Sequence, residues 1–89
     1  METDLAQMLA FCVVMLEYAL GDPGILQSAG LANGGAEASL DTLRSELDQA
    51  LDADAAAEAI REIGAATTGM PGADRAEAVA FCAEMANQP

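Results

Sequence analysis

Met8-Leu9-Ala10-Phe11-Cys12-Val13-Val14-Met15-Leu16 is a run without a single polar side chain, in a chain that elsewhere places an acid every few positions. Working outward, Leu5, Met8, Leu9, Cys12, Val13, Leu16 and Leu20 recur at the three-and-four spacing of one helix face. Phe11, Val14, Met15 and Tyr18 make the opposite side apolar as well. The spacing predicts a first helix over about 3–20, with Thr3 or Asp4 as its cap and the acids Glu2 and Asp4 suited to the positive end of its dipole. A helix that is apolar all round is buried all round, so the rest of the chain reads as its cover.

The flanks of this run exclude two destinations. A secretory signal opens on basic residues, whereas this chain opens on acidic ones. A membrane span needs about 20 apolar residues, and Gln7 and Glu17 bracket too few. The expectation is a cytoplasmic protein with no membrane contact.

A chain of 89 residues makes one acidic domain spanning 1–89. Hydrophobic residues are 53% of it, too many for disorder, but aromatics are only Phe11, Tyr18 and Phe81. The core must therefore be aliphatic. Ala, Leu, Glu and Met dominate and β-branched residues are few, which predicts an all-α fold. The expected form is a small bundle of about four helices with a long loop after the first.

After Leu20, Gly21-Asp22-Pro23-Gly24 stops the first helix. One short helical turn over 25–29 is expected inside a long connection, 21–38, that also holds the break Asn33-Gly34-Gly35. A second helix is expected to start at an N-cap Ser39, with Leu40, Leu43, Leu47 and Leu51 on one face. Continued on the same wheel, Asp54 and Glu58 would fall in the leucine stripe while Ile60 and Ile63 left it. A break near Asp52-Ala53-Asp54, capped by Asp52 or Asp54, resolves the conflict and starts a helix that turns Ala56, Ile60 and Ile63 inward. One long helix whose buried face changes partner midway is the alternative. Gly64 is its expected end. The last helix is expected from about Ala73, with Asp74 and Glu77 spaced as a capping box and Val79, Phe81, Cys82 and Met85 apolar. Ala80-Phe81-Cys82-Ala83-Glu84-Met85 echoes Ala10-Phe11-Cys12-Val13-Val14-Met15, which gives the first and last helices similar packing roles.

Fifteen acids face three arginines, with no lysine or histidine, for a formal charge of −12. That sign repels phosphate backbones and anionic lipid surfaces and steers the chain toward basic proteins or cations. Without His there is no Ser-His-Asp or Cys-His pair, and without Lys no Schiff base or phosphate-loop lysine. No catalytic, cofactor or metal residue is assigned, and the expectation is a non-enzyme. Cys12 and Cys82 form no CxxC and read as buried free thiols; a bridge between antiparallel terminal helices is the alternative. An EF-hand begun at Asp52 would put Ala57 where glycine belongs and Ile63 where glutamate belongs.

Two patterns carry functional expectations. Ser39-Leu40-Asp41-Thr42-Leu43 resembles the Asp-Ser-Leu segment of acyl carrier proteins, which implies Ser39 as the attachment point of a phosphopantetheine arm; Ala38 stands where that family has Asp. The second is the acidic middle tract. Asp41, Asp48 and Asp52 share a stripe, with Glu46, Glu58 and Glu62 elsewhere on the same tract. A row of carboxylates on a helix is ordinarily a solvated face. It is also how a protein imitates duplex DNA, which carries about one charge per ~1.7 Å of axis. In charge and size the chain is similar to small acidic proteins that occupy nucleic-acid grooves, including phage-encoded inhibitors of host defence. The expected function is an inhibitor or decoy that binds a basic, nucleic-acid-handling protein through Asp41, Glu46, Asp48, Asp52, Glu58 and Glu62, without binding nucleic acid itself. The alternatives are the Ser39 carrier and a structural subunit that assembles, or dimerises, through its first helix.

Overall fold

The structure is a computed structural model that describes residues 2–87, with side chains from Asp4 onward. Those residues form helices α1 (Glu2–Leu20), α2 (Pro23–Ala29), α3 (Asn33–Ala50), α4 (Ala53–Ala66) and α5 (Gly72–Ala86), and no strand. The fold is all-α. α1 is its axis, because every other helix packs against it. Leu9, Ala10, Cys12, Val13, Met15 and Leu16 are buried, and Phe11 and Val14 are half-buried. The expectation of a capping Thr3 concerns a side chain outside the described ones, and Asp4 lies within α1.

Local chemistry explains each turn. Asp22 caps α2, its Oδ1 accepting from the amides of Gly24 at 3.1 Å and Ile25 at 3.4 Å. Gly30 ends α2 at φ 77°, a left-handed conformation that favours glycine. Ile25 and Leu26 are buried and hold α2 against α5 and α1. The connection after α1 is shorter than expected, because α3 begins at Asn33 and runs through Gly34-Gly35. Two glycines cost a helix roughly 1 kcal/mol each. Burial of Ala36, which extends the Leu40, Leu43, Leu47 stripe by one turn, favours the longer helix.

The break in the middle tract falls where the wheel requires it. α3 stops at Ala50, and Asp52 caps α4 by accepting from the amide of Ala55 at 2.8 Å. α4 continues past Gly64 to Ala66, and Thr67 and Thr68 turn their hydroxyls back onto the carbonyls of Ile63 and Gly64. α5 starts at Gly72, so Asp74 lies inside its first turn and the expected capping box does not form.

The cysteines correct the sequence reading. Cys12 and Cys82 are joined in a disulfide, with Cα atoms 5.4 Å apart, and no free cysteine remains among the described residues. The free-thiol expectation gives way to its alternative, a bridge between antiparallel terminal helices, because the packing of α1 on α5 brings the two sulfurs together. Phe81 also departs from expectation. It is 53% exposed, because Cys82 and Val79 take the α1-facing side of α5.

Helix directions follow from named contacts. Arg75 meets Tyr18 and Cys82 meets Cys12, so α5 runs antiparallel to α1. Arg44 meets Glu17 while Gln49 and Ala50 lie beside Leu5 and Leu9, so α3 is antiparallel too. α4 runs parallel to α1, with Ala55 and Glu58 near Ala6 and Gln7, and Ile60 and Gly64 near Val14.

Candidate partner-binding surface

All six acids expected to bind a partner are exposed, but the fold divides them. Asp41 and Asp48, seven residues apart, share one stripe of α3. Glu46 lies roughly 150° round the same helix. Asp52 is engaged as the cap of α4, and Glu58 and Glu62 occupy one stripe of α4 a turn apart.

Two shallow grooves flank the packing of α3 on α1. One lies between Leu5 and Leu9 of α1 and Glu46, Gln49 and Ala50 of α3. The other is lined by Ala6 and Gln7, by Ala50 and Leu51, and by Ala55, Glu58, Ala59 and Glu62 of α4. Ala50 borders both, so the end of α3 is the ridge between them. Each groove has an apolar floor and a carboxylate rim. α3 and α4 pack little against each other, each resting mainly on α1.

The three arginines have three different environments. Arg44 pairs with Glu17, the one ion pair among the described residues, and at such exposure the pair contributes under about 1 kcal/mol. Arg75 is only 5% exposed. Its guanidinium stacks 3.9 Å from the centroid of the Tyr18 ring and donates to the carbonyls of Met70, Thr67 and Thr68. These carbonyls belong to the end of α4 and the turn beyond it, where a helix presents partial negative charge and orphan acceptors. A buried cation is thus satisfied without a carboxylate. Arg61 is left exposed on α4.

Sequence reasoning missed Arg75, since nothing local distinguishes a core-clamping arginine from a surface one. It also placed Leu5 and Met8 in the core, yet they are 55% and 43% exposed. Their spacing is that of buried residues; they are open because α5, antiparallel to α1, ends at Ala86, near the level of Met8, and does not continue alongside Leu5.

Ser39 lies well inside α3 and is 3% exposed. It therefore does not provide the N-cap expected of it, and its side chain is largely closed to solvent. Among the described residues no three acids or cysteines gather closely enough to hold a metal ion, and no single helix is long and apolar enough to cross a membrane.

No family model matches the chain, no curated protein matches it in sequence, and no solved structure matches its fold.

Proposed function

We propose that this chain is a non-enzymatic binding module, an inhibitor or decoy that docks on a basic, nucleic-acid-handling protein through the exposed carboxylates of α3 and α4. One observation carries the reading: the carboxylates of 41–62 are all exposed, with Arg61 beside them as the one unpaired exposed arginine among the described residues. Of three arginines, Arg75 is buried against carbonyls and Arg44 is paired with Glu17. Asp41 and Asp48 meanwhile face solvent on α3, and Glu58 and Glu62 face solvent on α4 along its groove with α1. Asp41 and Asp48 lie about 10 Å apart along α3, and Glu58 and Glu62 about 6 Å apart along α4. Rows of this kind offer a protein's phosphate-binding cations an alternative set of anions. Attraction between such surfaces is long-ranged and screened by salt, with a Debye length of about 8 Å at physiological ionic strength.

The test uses the chain as bait in a cell lysate across a salt series, with captured proteins identified and then challenged with duplex DNA. The expected captures are nucleic-acid-binding proteins released by salt and by the competing duplex. A variant with Asp41, Asp48, Glu58 and Glu62 replaced by Lys is expected to capture none of them while keeping its helical circular dichroism. Capture that persists at high salt, or in the charge-reversed variant, would show that the acids are incidental.

A further inference from the structure

The groove between α1 and α3 is distinct from the acidic rows, and its chemistry is mixed. Leu5 and Met8, one turn apart on α1, are about half exposed, and Leu9 and Ala50 line the floor beside them. Glu46 and Gln49 form the opposite rim, and Asp4, also exposed, precedes Leu5. The cause of the opening lies in the register of α5. Cys82 lies across from Cys12 and Arg75 across from Tyr18, so the end of α5 at Ala86 falls near the level of Met8. Beyond that level the first turns of α1 have α3 on one side and α4 on another, and no helix where α5 would continue.

A cradle between two antiparallel helices, apolar along its floor, suits a third helix packed ridges-into-grooves. Charge selects what that helix carries. The rim acid is Glu46, the exposed Asp4 precedes Leu5, and the chain as a whole bears −12, so a second copy approaches against strong like-charge repulsion while a cationic helix is drawn in. From this we infer that the α1–α3 groove is the docking site of a cationic amphipathic helix of a partner protein. Its apolar residues, at i and i+3 or i+4, rest on Leu5, Met8 and Leu9, and its Lys or Arg residues meet Glu46 and Asp4. This rests on the proposed binding function and deepens it: the acidic rows attract the partner, and the groove gives the contact its register. With Leu5 and Met8 as its exposed large apolar side chains, the interface is small, so the complex belongs to the weak, transient class.

The probe is a synthetic peptide of about 18 residues with Leu on one helical face and Lys on the other. A peptide of the same composition in scrambled order serves as control. Binding is followed by fluorescence anisotropy and by amide shifts of the labelled protein. The patterned peptide is expected to shift Leu5, Met8, Leu9, Gln49 and Ala50 and to bind at least tenfold more tightly than the scrambled one. Replacing Leu5 and Met8 by Ser is expected to weaken it roughly tenfold, with little effect on thermal stability because both side chains already face water.

Equal affinity for both peptides, shifts confined to the Glu58–Glu62 groove, or no binding by the patterned peptide would overturn the groove assignment. So would concentration-dependent shifts of Leu5 and Met8 without peptide, together with a dimer in sedimentation, since a second copy would then be the occupant. The two proposals fail separately. Salt-sensitive capture that is indifferent to the Leu5 and Met8 substitutions sinks the groove alone. Patterned-peptide binding alongside salt-insensitive capture sinks the acidic-surface reading alone.

Discussion

The echoed segments 10–15 and 80–85 begin with the same three residues and end on the same methionine, yet the fold treats them differently. In α1, Phe11 is half-buried and Met15 fully buried; in α5, Phe81 is exposed and Met85 half-buried. Only the cysteines share one environment, because they bond to each other. α1 has neighbours on nearly every side, whereas α5 lies at the edge with one face on α1, α2 and α3. Burial of a given motif thus depends on how many helices surround it, a property of the assembly and not of the motif.

The largest effect is expected where the two segments join. The disulfide closes a separation of 70 residues. On the chain-entropy model its removal costs about 4 kcal/mol, a large share of the stability of a small domain. Urea unfolding with and without reductant, and of a variant with both cysteines replaced by Ser, is expected to show that loss. A midpoint indifferent to reductant would mean that the terminal helices hold together without the bond.

The next effect sharpens the contrast between centre and edge. Met15→Ala is expected to cost about 3 kcal/mol and Met85→Ala about 1 kcal/mol, because only the first leaves an enclosed cavity. Equal losses would place α5 as deep in the fold as α1. Phe81→Ala is expected to change stability by less than about 0.5 kcal/mol.

Arg75 tests what else holds α5. Replacing it by Met keeps much of the volume over Tyr18 but removes the donors to the carbonyls of Thr67, Thr68 and Met70. A loss of about 2 kcal/mol is expected in the same unfolding assay, and hydrogen exchange is expected to quicken first around 67–75. Unchanged protection there would show that water satisfies these carbonyls equally well.

The smallest effect concerns the start of α3. A Cβ added at Gly34 or Gly35 meets nothing within 4 Å. Each Gly→Ala is therefore expected to stabilise the fold by about 0.5–1 kcal/mol, read as a raised urea midpoint. Destabilisation would return 33–35 to the flexible break that the residue types suggest.

Much of the fold is legible in the residues because its signals are local. The apolar girdle of 8–16 marks the central helix, and the conflict between Leu47 and Ile60 on one wheel points to a break near 52–54, where α4 starts behind Asp52; that Asp22 caps α2 is visible only in the structure. The candidate surface is less legible. The acids of 41–62 and their exposure follow from sequence, but their division between the flanks of α3 and the stripe of α4 depends on how those helices are turned against α1.

What the sequence determined by itself is the helical class, the central helix and the sign of the surface charge, since periodicity and composition act within a few turns. The tertiary structure alone decided that Cys12 pairs with Cys82, that Arg75 binds the carbonyls of another helix, and that Leu5, Met8 and Phe81 stay open. Each depends on where helices distant in the chain meet and end, which no local pattern encodes.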